Sequence, residues 1–211
     1  MFNIDIYNKI VEEIGFLKRK TQIIAISKNH PKESVEIALK YGVRIFGENR
    51  VQEAKNKFEQ LKSEYLDLEL HLTGPLQTNK VKEAINLFDV FHTLDREKLA
   101  KELVKIGKLE NKSFFIQVNT GKEKNKSGVY IEHLSEFVNY CKNDLSLNIV
   151  GLMCIPPIDE KPKEHFSILI NEARKNNLSE LSIGMSSDYA QAIELNATYI
   201  RIGTLLFGKR Q

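Results

Sequence analysis

Lys28 closes the run Gln22-Ile23-Ile24-Ala25-Ile26-Ser27-Lys28 and places a primary amine where an isoleucine-rich stretch gives way to loop. A short apolar run bounded by charge reads as a buried parallel-sheet strand. An ammonium withheld from water is destabilised relative to the free amine, so burial there lowers the lysine pKa. The result is a nucleophile for a carbonyl substrate or cofactor. A strand-end lysine that snorkels back into water is an equal reading on spacing alone.

A second kind of chemistry sits near the other end of the chain. Gly184-Met185-Ser186-Ser187-Asp188 falls where a helix begins, so its backbone N–H groups and hydroxyls are suited to a phosphate. Gly203-Thr204 offers another close backbone approach and another hydroxyl. Ordinary helix capping by Ser186 or Ser187 is the plainer alternative. Gly203, Gly208 and Lys209 imitate the start of a P-loop, but Arg210 stands where Ser or Thr is needed and Leu205-Leu206-Phe207 is apolar. Nucleotide hydrolysis is therefore set aside. An amine facing an anion site suits a ligand with both a carbonyl and a phosphate. Pyridoxal 5′-phosphate is one such ligand, and the phosphosugar of a lysine-dependent aldolase is another.

The elements that would bring these residues together alternate strictly. Apolar runs at Gln22–Ser27, Arg44–Gly47, Glu69–Leu72, Val90–Thr93, Ser113–Val118, Ile149–Met153, Leu181–Ile183 and Tyr199–Ile202 are predicted strands. Helical patterns at Pro31–Tyr41, Arg50–Ser63, Thr78–Phe88, Asp95–Lys108, Ile131–Cys141, Lys163–Asn176 and Ser187–Leu195 separate them, with Asp95 the expected N-cap of its helix. In front lies an amphipathic segment carrying Ile6, Ile10, Ile14 and Leu17, expected to pack under the rest. This alternation predicts a single (β/α)8 TIM barrel over 1–211 with an extra N-terminal helix. An open doubly wound sheet would place a Gly-x-Gly-x-x-Gly turn after its first strand, where this chain has Ser27-Lys28-Asn29-His30-Pro31. Barrel chemistry gathers at the C-terminal ends of the strands, where Lys28, Asn49, Met153, Ser186, Arg201, Gly203 and Thr204 all fall.

Composition narrows the class further. A 211-residue chain with 42% hydrophobic residues buries a core without disulfides or structural metal. Its net charge of +3 comes from interspersed lysines and carboxylates, which argues against nucleic acid. The five histidines are scattered without ligand spacing, so no metal site is expected. Two cysteines without Cys-x-x-Cys spacing, no secretory h-region and no membrane-spanning run point to the cytoplasm.

Taken in order, the pieces resemble one family over essentially the whole chain. They are Ile24-Ala25-Ile26-Ser27-Lys28 with Pro31, Phe46-Gly47-Glu48-Asn49-Arg50-Val51-Gln52-Glu53, His71-Leu72-Thr73-Gly74 and Leu76-Gln77-Thr78-Asn79-Lys80. Lys126-Ser127-Gly128, Gly151-Leu152-Met153, Gly184-Met185-Ser186 with Asp188, and Arg201-Ile202-Gly203-Thr204 with Phe207-Gly208 complete the set. The chain is similar in these motifs to the pyridoxal phosphate homeostasis proteins, a family that resembles the barrel half of alanine racemase (the type III fold of pyridoxal phosphate enzymes).

The resemblance implies that Lys28 holds pyridoxal phosphate as an internal aldimine, with Ser186, Gly203 and Thr204 on its phosphate. It places Arg201 at the pyridine nitrogen, and Asn49 and Met153 along the ring. A permanent guanidinium charge there keeps the nitrogen unprotonated and the cofactor a poor electron sink. Alanine racemases also carry a second, mostly β domain with a tyrosine base, whereas this chain stops shortly after Gly208. The expectation is thus a monomeric, non-catalytic carrier that maintains vitamin B6 homeostasis and hands pyridoxal phosphate to apo-enzymes. A minimal amino-acid racemase, a Schiff-base phosphosugar aldolase and a binding module for a protein client are the alternatives. Thr73, Pro75 and Asn196 depart from the family pattern, and none of them is expected to touch the pocket.

Overall fold

Eight strands pair in parallel, each with the next and the last with the first: β1 (Gln22–Ile26), β2 (Ile45–Glu48), β3 (Glu69–Leu72), β4 (Val90–Leu94), β5 (Ser113–Val118), β6 (Ile149–Cys154), β7 (Glu180–Met185) and β8 (Tyr199–Ile202). The computed structural model describes residues 2–209. Met1 and the Arg210-Gln211 end of the P-loop-like tail lie outside the described residues. The helices are α1 (Ile4–Phe16), α2 (Lys32–Lys40), α3 (Val51–Glu64), α4 (Val81–Leu87), α5 (Glu97–Ile106), α6 (Ile131–Asn139), α7 (Pro162–Lys175), α8 (Tyr189–Glu194) and the one-turn α9 (Thr204–Phe207). The predicted (β/α)8 barrel is the observed fold.

Burial follows the logic of a closed parallel sheet, in which strands are covered on both faces. All five residues of β4 are buried, and so are four of five in β1. Outward-facing residues join the helices' apolar stripes in one large core, with Phe46, Phe58, Phe88, Phe114 and Phe166 shielded from solvent. Inside the barrel, Val90, Phe115 and Met153 form a small separate packed layer.

α1 does not lie under the barrel. At its start Asn3 N donates to Leu206 O (2.7 Å) and Phe2 packs on Phe207, past the C-terminal end of β8. At its far end Arg19 donates to Glu194 O, where α8 ends (3.1 Å). The helix therefore runs antiparallel to the strands on the barrel's flank. Ile10 and Ile14 are its buried contacts. Because α9 is a single turn, α1 supplies the outer layer that a full helix after β8 would provide.

Two local expectations are corrected. Asp95 is not an N-cap: its carboxylate pairs with Arg96 (2.5 Å), and α5 begins at Glu97 after an Arg96 that makes no side-chain cap. The sixth helix does not stop at Cys141 but widens into a π turn over Tyr140–Asp144. Asn196 takes the left-handed conformation its type tolerates (φ 60°).

Both thiols are buried, and burial pushes each up to about 12. Thiolate is the reactive form, so neither cysteine is expected to react with iodoacetamide at pH 8 in the native protein, while both react in denaturant. Mass measurement of adducts checks this. The same shift means that the unfolded chain loses thiol protons first, so stability falls as pH climbs from about 9 toward 12.

Candidate functional site

The C-terminal ends of β1, β2, β7 and β8 enclose a cavity of about 460 Å³. Its lining includes Lys28, Asn49, Ser186, Arg201, Gly203 and Thr204, so six of the seven expected residues meet in one place. Ile26, Thr73, Ile155 and Met185 complete its apolar and ring-sized walls. The seventh, Met153, is fully buried in the packed layer with Val90 and Phe115. It points inward but one layer too deep, and Ile155 and Met185 line the cavity where it was expected. Thr73 is a second correction, since it faces the cavity and donates to Asn49 Oδ1 (3.1 Å). Continuing the inward alternation of Glu69 and His71 by two residues accounts for that position.

A network beneath the loop fixes where Lys28 leaves β1. Ser27 Oγ donates to Glu48 Oε1 (2.7 Å), and Lys57 Nζ donates to Ser27 O (2.7 Å), Glu48 Oε1 (2.8 Å) and Glu53 Oε1 (2.7 Å). Glu53 also accepts from Asn29 N (2.5 Å). Both backbone neighbours of Lys28 are thus held by side chains of β2 and α3. Glu48 is fully buried, and its Oε2 has no partner. Burial pushes its carboxyl up, while the charge and hydrogen bond of Lys57 and the Ser27 hydroxyl pull it down.

Asn49 is held close by glycine. A Cβ on Gly74 would lie 2.3 Å from Asn49 O and 2.6 Å from its Cα, so only glycine lets the loop after β3 pass behind Asn49. Gly74→Ala is expected to cost about 1–3 kcal/mol and to displace Asn49 from the cavity. A thermal melt together with ligand titration checks both effects.

The wall of the cavity formed by the loops after β7 and β8 consists of turns. Asp188 Oδ1 accepts from Met185 N (2.5 Å), and Asp188 N donates back to Met185 O (3.1 Å). This closes the 185–188 turn without using the N–H groups of Ser186 and Ser187. Among the described residues, those two N–H groups and those of Gly203 and Thr204 donate to no protein acceptor. Neither serine caps α8, whose cap position belongs to Asp188. Four backbone donors and three hydroxyls therefore remain for an oxyanion.

Arg201 projects inward from β8 and is buried. Nη1 donates to Ser182 O (2.7 Å) and Ser182 Oγ (2.8 Å), and Nη2 donates to Cys154 O (2.9 Å). Among the described residues no carboxylate forms an ion pair with it. Desolvation lowers its pKa, offset in part by Cys154 and the Asp188 carboxylate, while the oxygens that hydrogen-bond to it are all neutral. A guanidinium held this way is an electrostatic wall for an electron-rich ring atom.

Sequence reading missed Lys57 and Ser182. Lys57 left a signal, because it sits in the buried stripe of Val51, Ala54, Phe58 and Leu61, where an unpaired lysine would be costly. Ser182 left none beyond its place inside a strand.

A closed parallel barrel with a lysine ending β1 and an anion cradle after β7 and β8 is the architecture of one class. The family model of the alanine racemase N-terminal domain matches residues 7–211. Alanine racemase from Corynebacterium glutamicum shares the fold at 16% identity (TM-score 0.67; 90% of this chain, 56% of that one). The chain belongs, within that class, to the pyridoxal phosphate homeostasis proteins. It is 39% identical to the one from Aquifex aeolicus, over 96% of this chain and 93% of that protein, and 34% identical to the one from Escherichia coli over 89% and 85%. PipY of Synechococcus elongatus has been solved without PLP (37% identity, TM-score 0.83; 90% of this chain, 93% of that one). It has also been solved with PLP bound (35% identity, TM-score 0.79; 94% and 100%).

Proposed function

We propose that this protein binds pyridoxal 5′-phosphate in the cavity at the C-terminal end of the barrel and holds it for supply to other proteins. The observation that carries the reading is the joint placement of a lysine, four free backbone donors and a buried guanidinium around one cavity. Family membership supports it, as does PLP bound in a relative of the same fold.

Bound there, the cofactor supplies an aldehyde and a pyridine ring. Lys28 offers the amine that takes the aldehyde carbon, with loss of water. The N–H groups of Ser186, Ser187, Gly203 and Thr204 receive the phosphate. Arg201 faces the ring nitrogen and, by its charge, disfavours a proton there. Asn49, held by Thr73 and Gly74, borders the ring. With the nitrogen unprotonated, carbanion chemistry loses its main stabilisation, which favours a carrier over a catalyst. The recipients are apo-enzymes that use the same cofactor, the carrier acts as a monomer, and the setting is the cytoplasm. Among the described residues no helix is long and apolar enough to cross a membrane, and no cluster of His, Cys, Asp or Glu is placed to hold a metal.

Absorption spectroscopy of the protein titrated with pyridoxal phosphate, followed by borohydride reduction and peptide mass mapping, tests this. A visible band removed by borohydride, with the pyridoxyl mass on the Lys28 peptide, is the expected result. No band at saturating cofactor would overturn the reading and favour a phosphosugar ligand. Incubating the loaded protein with single amino acids separates carrier from catalyst, and sustained racemisation abolished in Lys28→Ala would establish an enzyme.

A further inference from the structure

The barrel interior contains a hydrogen-bonded chain that the binding chemistry above does not use. Glu69 Oε1 lies 2.5 Å from His71 Nε2, His71 Nδ1 lies 2.8 Å from His92 Nε2, and His92 Nδ1 lies 2.8 Å from Ser182 Oγ. Ser182 Oγ in turn accepts from Arg201. His71, His92 and Ser182 are all fully buried. Glu69 is the first residue of β3 and its side chain is 40% exposed, so the chain opens to solvent at the end of the barrel opposite Lys28.

The direction of every proton in this chain follows from its Arg201 end. Guanidinium has no acceptor, so Ser182 Oγ must accept from Arg201. Among the described residues, the serine hydroxyl then has one acceptor in reach, His92 Nδ1. His92 consequently carries its proton on Nε2 and donates to His71 Nδ1. His71 carries its own on Nε2 and donates to the Glu69 carboxylate. All donors point the same way, and all acceptor ends point toward the guanidinium.

Packing locks this arrangement. The His92 ring stacks on Phe115 at 4.6 Å and 9°, and Tyr199 meets both histidines and Phe115 edge-on. The groups facing His92 are His71 from β3, Phe115 from β5, Ser182 from β7, and Tyr199 and Arg201 from β8. Burial first, with the Arg201 charge acting the same way, holds the His92 pKa well below 6.5 and keeps the ring neutral, and a proton placed on His71 would only lower it further.

We propose that Glu69, His71, His92 and Ser182 are positioning residues for Arg201, a relay that links a surface carboxylate at one end of the barrel to the buried guanidinium at the other. The inference rests on the reading of the cavity as a cofactor site. The relay adds a remote counter-charge to the nearer one of Asp188 and fixes the guanidinium plane before any ligand arrives. Aligned hydrogen bonds polarise one another, so a change at Glu69 is felt at the ligand site.

Nitrogen-15 NMR of histidine-labelled protein without cofactor tests the relay directly. The expected spectrum shows both histidines neutral with the proton on Nε2, and Glu69→Ala shifts the His71 and His92 ring-nitrogen signals through lost polarisation while the His92 tautomer stays fixed by Ser182. A protonated His71, or Nδ1–H tautomers, or a His92 signal indifferent to Glu69→Ala would overturn it. With cofactor, Ser182→Ala is expected to weaken binding by about tenfold, the effect of losing one charge-assisted bond, and to shift the pH profile of the bound chromophore. Ser182→Thr restores both. If Ser182→Ala does not fold, Glu69→Ala at the surface carries the same spectral test, and an unaltered pH profile there overturns the relay. If the native protein binds no cofactor, the functional reading fails while the histidine tautomers still decide this inference.

Discussion

Lys28→Ala, incubated with pyridoxal phosphate and reduced with borohydride, will carry no pyridoxyl group anywhere in the cavity. Lys28 is the only lysine among the described residues that line it, and Lys126 lines an adjoining cavity that shares Asn49, Thr73 and Ile155 with it. The side chain is half-buried at a strand end, and its removal leaves the barrel's core untouched. Stability is expected to change by about 1 kcal/mol, as for substitutions outside the core. The phosphate donors and Arg201 persist in the variant, so weak, reversible binding of the cofactor remains. Mass mapping and a chemical melt read the two effects separately. A pyridoxyl adduct on another residue lining this cavity would remove Lys28 from its assigned role.

The largest effect on stability is expected from Lys57→Met. Among the described residues Lys57 is the only cation within hydrogen-bonding distance of a fully buried Glu48. Its methionine replacement keeps the bulk and leaves the carboxylate unpaired. Breaking a buried pair in this way costs about 3–5 kcal/mol. The pH dependence has a definite sign. Burial already raises the Glu48 pKa from 4.5, and loss of Lys57 raises it further. A raised carboxyl pKa is a stability contribution present below 4.5 and lost as pH rises through the folded value. The deficit of Lys57→Met is therefore greatest at neutral pH and narrows toward pH 4.5. Urea titrations at several pH values check this. The double variant with Glu48→Gln is expected to recover much of the loss, and equal stability of Lys57→Met and native protein at pH 7 would sink the account. Because Lys57 also grips Ser27 O, the single variant should form the Lys28 adduct more slowly as well.

The barrel was legible because β and α periods alternate without ambiguity, and β3, β5 and β8 begin and end where their apolar runs do. Element ends were less so. Asp95 has the type of a cap residue, yet its carboxylate finds Arg96 first. Six of the seven expected residues line one cavity because strand ends in a barrel converge on one mouth. Depth was not readable: Met153 and Ile155 both follow the inward alternation of β6, and only the packing of Phe115 and Val90 decides that Met153 lies below the cavity. Thr73 was misjudged for the same reason, since alternation gives a face but not a layer. The His71–His92 contact joins residues 21 apart in sequence, and His92–Ser182 joins residues 90 apart. No local pattern announces a bond of that kind.

The position of α1 has a consequence for how the molecule is made. The helix is translated long before its partners Leu206, Phe207 and Glu194, with Arg19 and Glu194 lying 175 residues apart. Its apolar face, with Ile10 and Ile14, must wait uncovered on the ribosome until those residues have appeared. Closure of the outer layer is thus the most non-local event in the fold, and loop-closure entropy makes such events slow. A nascent chain shortened before β8 is expected to leave α1 undocked and open to chaperones, and a chain that includes β8 and α9 to withdraw that surface.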